Sequence, residues 1–137
     1  MLTKKTLSLA DAKKIAAAAE AKAVAEGWNV VIAIHDAGGH LIYLQRMDGT
    51  QLGSVIVAQE KSRTALLFKR PTKMLEDVVL SGRVHMMSLP GVTSVEGGLP
   101  IVVDGEVVGS IGVSGVQSFQ DGQVAAAGVA AITGSGE

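Results

Sequence analysis

Two glycine-bearing turns, each set between apolar runs, constrain this chain most. Asp104-Gly105 separates Ile101–Val103 from Glu106–Ser114, and an Asp-Gly pair suits a two-residue hairpin turn whose central residues both take positive φ. Asp36-Ala37-Gly38-Gly39 separates Asn29–His35 from His40–Met47 in the same way. Two hairpins demand antiparallel strands, and the segments around them read as helices. The first runs from Ser8 to about Glu26. Ser8 can cap it with Asp11 three residues on, Leu9, Ala12, Ala16, Ala19 and Ala23 form one stripe, and Gly27 stops it. A second runs from Leu52 or Gly53 to Lys69, where Pro71 ends it. Thr72 can cap a short third helix to about Leu80. Arg83–Glu96 reads as irregular with room for one short strand. Gly97-Gly98-Leu99-Pro100 is a tight strand entry, and an alanine-rich helix spans Asp121 to about Ile132. The order helix, hairpin, two helices, hairpin, helix predicts a single α+β domain over residues 1–137.

Composition narrows the function classes. The 137 residues are 47% hydrophobic and 18% charged, enough to bury a core. Twelve basic against thirteen acidic side chains leave a net charge of −1, without the basic surplus that nucleic-acid binding needs. With no cysteine there is no disulfide framework, thiolate nucleophile or cysteine-based zinc site. Aromatic residues are only 3%, so Ala, Val, Ile and Leu must build the core. No apolar stretch reaches the roughly 20 residues of a membrane span, and the first residues form no apolar signal core. The expectation is a cytoplasmic protein with no membrane partner.

Lys61–Pro71 (KSRTALLFKRP), Gly97–Pro100 (GGLP), Asp104-Gly105, Gly109–Gly115 (GSIGVSG) and Gln120-Asp121 before the last helix carry a resemblance. In this order and spacing they resemble the GlcG/HbpS-like haem-binding family, which takes in the C-terminal domain of PduO-type proteins. The resemblance runs from Ser8 to the C-terminus. It implies a five-stranded antiparallel sheet flanked by helices in profilin-like α/β/α layers, and assembly into homo-oligomers, dimers or larger. It also implies haem or a related tetrapyrrole as the ligand of some members. Some haem-binding relatives use a histidine of the N-terminal helix, and residues 1–34 here contain none. Haem binding by this chain then needs another ligand or is weak.

The residues themselves offer a candidate ligand site. Lys61, Thr64 or Ala65, and Phe68 share one helix face, and Arg70 follows before Pro71. A flat acid such as haem could lay its ring on Phe68 and its carboxylates on Lys61 or Arg70. The plain alternative is that Phe68 is core and the cations are solvated, which is the reading preferred for Arg63 and Lys69. Near Gln120 and Asp121 the open N–H groups of a helix start would suit an anion, or Ser118 and Asp121 merely cap that helix. Gly97 and Gly98 either bring backbone donors to a ligand or form a bulge. The expected ligand-binding set is therefore Lys61, Phe68, Arg70, Gly97, Gly98, Gln120 and Asp121.

For haem iron the candidates are His40, His85 and His35, with Met47, Met86 or Met87 as sulfur donors. His35 shares a strand face with Val31 and Ala33, so a buried, hydrogen-bonded role competes with ligation. Gly112-Val113-Ser114-Gly115 lacks nucleophile-elbow spacing. The expected function is binding of haem or a similar planar, carboxylate-bearing ligand by a small homo-oligomeric protein. The alternative is an enzyme of small organic or aromatic acid catabolism, with His40, Asp36, Glu96 or Asp121 moving a proton in the same pocket.

Overall fold

Helix α1 (Leu9–Glu26) opens the fold of the computed structural model, which describes residues 1–133. Its capping box is complete: the Asp11 N–H donates to Ser8 Oγ (3.1 Å) and the Ser8 N–H to Asp11 Oδ2 (2.9 Å). Gly27 ends it at φ 75°, a left-handed geometry that glycine takes without a Cβ clash. The buried stripe is Ala12, Ile15, Ala16, Ala19 and Ala23; the expected Leu9 is exposed, because it stands in the first turn at the edge of a stripe whose centre is drawn toward Ile15 and Ala19.

Strands β1 (Val31–Asp36) and β2 (Leu41–Arg46) form the first hairpin, and β3 (Gly98–Val103) and β4 (Glu106–Ser114) the second. Asp104 and Gly105 have φ of 52° and 77°, the double positive φ that the turn requires. Between the hairpins run α2 (Gly53–Phe68), α3 (Thr72–Leu80) and a 3₁₀ turn (Val84–Ser88), and α4 (Ser118–Thr133) follows β4. All strand pairs are antiparallel in the order β2-β1-β4-β3, so β1 and β4 from different hairpins make the central pair.

The described sheet has four strands, not the five that the resemblance implied. The stretch with room for another, Arg83–Glu96, makes only the 3₁₀ turn, with Pro90 lacking an N–H and Gly91 bending the chain at φ 78°. Two other boundaries moved. Strand β3 already includes Gly98-Leu99-Pro100, and α4 starts three residues before Asp121. Nor does Thr72 cap α3: Pro71 stands at the cap, and Thr72 Oγ1 instead accepts from the Gly98 N–H at 2.9 Å.

The two sheet faces are built from different residues. Ile32, Ile34, Ile101, Ile111 and Val113 pack with α1 and α4 into the main aliphatic core. The opposite face offers Val31 and Ala33 to Ala58 of α2, and beside them lie Ser110, Gly112 and Gly98. That second face is low enough for α2 to touch the sheet backbone. A Cβ at Gly112 would collide with the Ala58 carbonyl and the Ser62 N–H, and one at Gly98 with the Lys61 carbonyl. The result is three layers, helices on sheet on helix.

Candidate functional site

The close seating of α2 puts Lys61 inside the protein, 2% exposed, over the end of β4. Its ammonium donates to the Val113 carbonyl at 3.0 Å and to Asp121 Oδ2 at 3.1 Å. Asp121, in the first turn of α4 and also 2% exposed, turns its other oxygen to the Val116 N–H at 3.2 Å. Burial raises the Asp121 carboxyl above its ordinary value, while Lys61 and the Val116 and Gly115 N–H groups pull the other way. Gly97 and Gly98 make room for this arrangement. A Cβ on Gly97 would lie 2.8 Å from Lys61 Nζ, and φ there is 135°.

Lys61, Gly97, Gly98 and Asp121 of the expected set are thus together, but the anion that Lys61 holds is the chain's own. Gln120 closes the helix start further, accepting from the Gln117 N–H at 3.1 Å. The N–H groups of Val116, Gln117, Gln120 and Asp121 are thus engaged within the chain. Phe68 and Arg70 lie elsewhere, seven and nine residues on, about 10 Å along the α2 axis. Phe68 is half-buried. Arg70 is exposed and donates from Nε to the Phe68 carbonyl at 2.9 Å.

The three histidines have separate fates. His85 is exposed in the 3₁₀ turn. His35 is buried on the α2 face, with Nδ1 2.7 Å from Ser62 Oγ and Ser62 Oγ 2.9 Å from Ser110 Oγ. Satisfied and shielded in this way, it is a core histidine. Burial lowers its pKa and the Arg63 charge adds to that. The unfolded chain takes this proton near pH 6.5 and the folded chain only at lower pH, so stability is lost as pH falls between the two. Acidification from pH 8 to 5.5 is expected to lower the urea midpoint of the wild type more than that of His35→Gln. Glu96, raised by burial, works in the opposite direction but does so in both proteins. A wild-type minus variant difference that stays flat with pH contradicts this assignment.

His40 is different. It stands at the far side of the β1–β2 turn with its side chain 80% exposed, and Nδ1 is 3.3 Å from Asp36 Oδ1. The same carboxylate oxygen accepts from the Gly38 and His40 N–H groups, both at 3.0 Å, so it is held in place. The imidazole lies over Gly38, where a Cβ would sit 3.0 Å from Nδ1 and Cε1. Beside this turn a cavity of about 190 Å³ is lined by Gly38, Gly39, Leu66, Leu67, Lys4 and Lys69. It shares Lys4, Lys69 and Val107 with a neighbouring one of about 400 Å³ that reaches Gly105 and Glu106. Lys69 was read as an ordinary solvated residue, yet it adopts φ 53°, ψ 42° at the end of α2. The signal lay in Pro71. A helix forced to stop here without glycine or asparagine must place some other residue in the left-handed region, at a cost of about 1 kcal/mol.

A family model described as haem degrading protein HbpS-like matches residues 7–130. The chain belongs to the HbpS-like family. The protein GlcG of Escherichia coli K12 is 46% identical over 114 residues, which cover 83% of this chain and 85% of GlcG. Among solved structures, the Klebsiella pneumoniae protein ORFY superposes with a TM-score of 0.90 at 28% identity, covering 97% of this chain and 94% of that one. A structure described as a PduOC:heme complex gives a TM-score of 0.84 at 32% identity, covering 93% and 95%. The HbpS-like fold is therefore shared across nearly the whole described length. Among the described residues no helix is long and apolar enough to cross a membrane.

Proposed function

We propose that this HbpS-like protein binds haem. The observation that carries the reading is the relative described as a PduOC:heme complex, 32% identical and matching this chain over 93% of its length. The chain's own chemistry fits such a ligand. Among the described residues no three His, Asp or Glu side chains gather into an ion site. A porphyrin instead brings four nitrogens of its own and asks the protein for one or two axial donors and for cations facing its propionates. Exposed histidine and unpaired lysine supply those.

Self-association belongs to the same reading. Leu52 just before α2, Ile56 of α2, and Leu41 and Leu44 of β2 are exposed hydrophobics at the side of the sheet that α2 covers. A haem bound near one subunit would gain cover from a second.

Hemin titration tests the function directly. A shifted Soret band saturating near one haem per subunit, or a simple fraction of it, is the expected result. Absence of a shifted band and of saturation removes the proposal.

A further inference from the structure

We infer that the groove where the β1–β2 turn, the end of α2 and the N-terminal segment meet is a binding site for a small aromatic monocarboxylate. Its ring would fill the inner cavity and its carboxylate would face Lys4 and Lys69. The site is separate from the haem reading and stands or falls without it.

Space sets the size of the ligand. The inner cavity, beside Gly38 and Gly39, holds about 190 Å³. An apolar cavity of about 150 Å³ takes one benzene molecule, so a single ring fits here and a porphyrin does not. The glycines of the turn leave the room. A Cβ on Gly39 would start 3.7 Å from Leu66 Cδ2, and both residues line the space that the ring needs. Leu66, Leu67 and Val107 supply the apolar wall.

Charge sets the head group. Lys4, Lys69 and Val107 line both the inner cavity and the outer one of about 400 Å³, so the two lysines stand where the cavities join. Among the described residues neither ammonium has an ion-pair partner. Two unneutralised cations at one place suit an incoming carboxylate. Among the described residues no acidic side chain lines the inner cavity, whereas Glu106 lines the outer one. Its carboxylate accepts from the Lys5 N–H at 3.4 Å, and the Lys5 ammonium is paired with Asp104 at 2.8 Å. The groove thus runs from an apolar end through two cations to a negative rim. A second carboxylate on the ligand would meet either the leucines or Glu106, so that order of surfaces selects one carboxylate on one ring.

The backbone at Lys69 agrees. Among the described residues only Lys69 and Asp104 take a positive φ without being glycine, and Asp104 does so in a turn that demands it. Glycine would hold the same helix end without the cost, but it would bring no ammonium to the groove. A strained backbone kept at a charged residue that lines a cavity is common at ligand clamps.

The test is an NMR titration of the full chain with benzoate, read from backbone amide shifts. Benzyl alcohol supplies the ring without the charge, and acetate the charge without the ring. We expect benzoate to saturate with a Kd of about 1 mM. The amides of Gly38, Gly39, Leu67 and Lys69 should move together while those of Gly97 and Asp121 stay fixed. Benzyl alcohol and acetate should each bind at least about tenfold more weakly. Lys4→Gln/Lys69→Gln should weaken benzoate about tenfold, the scale of one or two charge-assisted contacts. Leu67→Ala should weaken it about fourfold, the scale of one methylene of apolar contact. Lys4, Leu67 and Lys69 are exposed, so the urea midpoints of these variants should hold. No saturation by about 10 mM benzoate overturns the site. So do shifts centred on other residues, or an unchanged affinity in the double lysine variant. None of these outcomes alters the hemin titration, so the two readings fail separately.

Discussion

Replacing Lys61 by methionine is expected to lower the unfolding free energy by about 3–5 kcal/mol, the cost of leaving a buried charge without its partner. Methionine nearly keeps the volume, so packing is preserved and the loss isolates the charge. Asp121 would keep the Val116 N–H, but its other oxygen would lose the ammonium that now binds it. Two further measurements separate charge from shape. In Lys61→Met/Asp121→Asn the carboxylate is gone, and most of the lost stability should return, because removing both members of a buried pair is often close to neutral. Acidity should do the same for the single variant. Asp121 is already raised by burial and loses its cation in the variant, so its charged form is costly above the folded pKa and the cost disappears as pH falls through it. Urea unfolding at pH 8 and pH 5 measures both effects. A single-variant cost below about 1 kcal/mol would show that Lys61 does not neutralise Asp121.

Gly112→Ala should be nearly as damaging, with a loss of about 3 kcal/mol, the upper end of overpacking costs. The added methyl group would enter the Ala58 carbonyl and the Ser62 N–H, both backbone atoms of α2, and neither can swing aside as a side chain would. Helix α2 would have to lift, stretching the hydroxyl chain from His35 through Ser62 to Ser110 and the Lys61 contact together. Gly53→Ala is the matched control. That glycine opens α2 with empty space around its Cβ position, so alanine should be neutral or add up to about 1 kcal/mol. Equal midpoints for the two variants would mean that α2 is not seated on the backbone of β4.

Much of the architecture was legible because its signals are local. A Ser-x-x-Asp cap, a glycine stop, an Asp-Gly turn and a proline after a helix act within four residues of themselves, so α1, both hairpins and the end of α2 could be placed. The fifth strand came from the resemblance and from the room for a short strand read in Arg83–Glu96. The local sequence around Pro90 and Gly91 opposes a ladder, and the described residues have none there. Leu9 and Thr72 show the limit of local reasoning. Each has the right residue type for its expected role, and each was diverted by a neighbour distant in sequence or by the exact phase of the helix.

The candidate site was legible in parts. Helical spacing put Lys61 on one face with Thr64 and Ala65, and all three are buried; Gly97-Gly98, read as a ligand approach or a bulge, instead lies against Lys61. What lay across from Lys61 was not in any local pattern: Asp121 is sixty residues away, and only the folded sheet brings α2 over the start of α4. The same holds for Lys4 and Lys69, which line one groove although no spacing rule connects them.

Taken by itself, the order of residues determined which segments are helices and strands, where they turn, and that one core must be built from small aliphatic side chains. Tertiary structure alone decided which charges neutralise one another and which stay open to a ligand. The reason is physical. Caps and turns are satisfied by neighbours along the chain, whereas the worth of a charge depends on what burial removes from around it, and burial exists only once distant segments have packed.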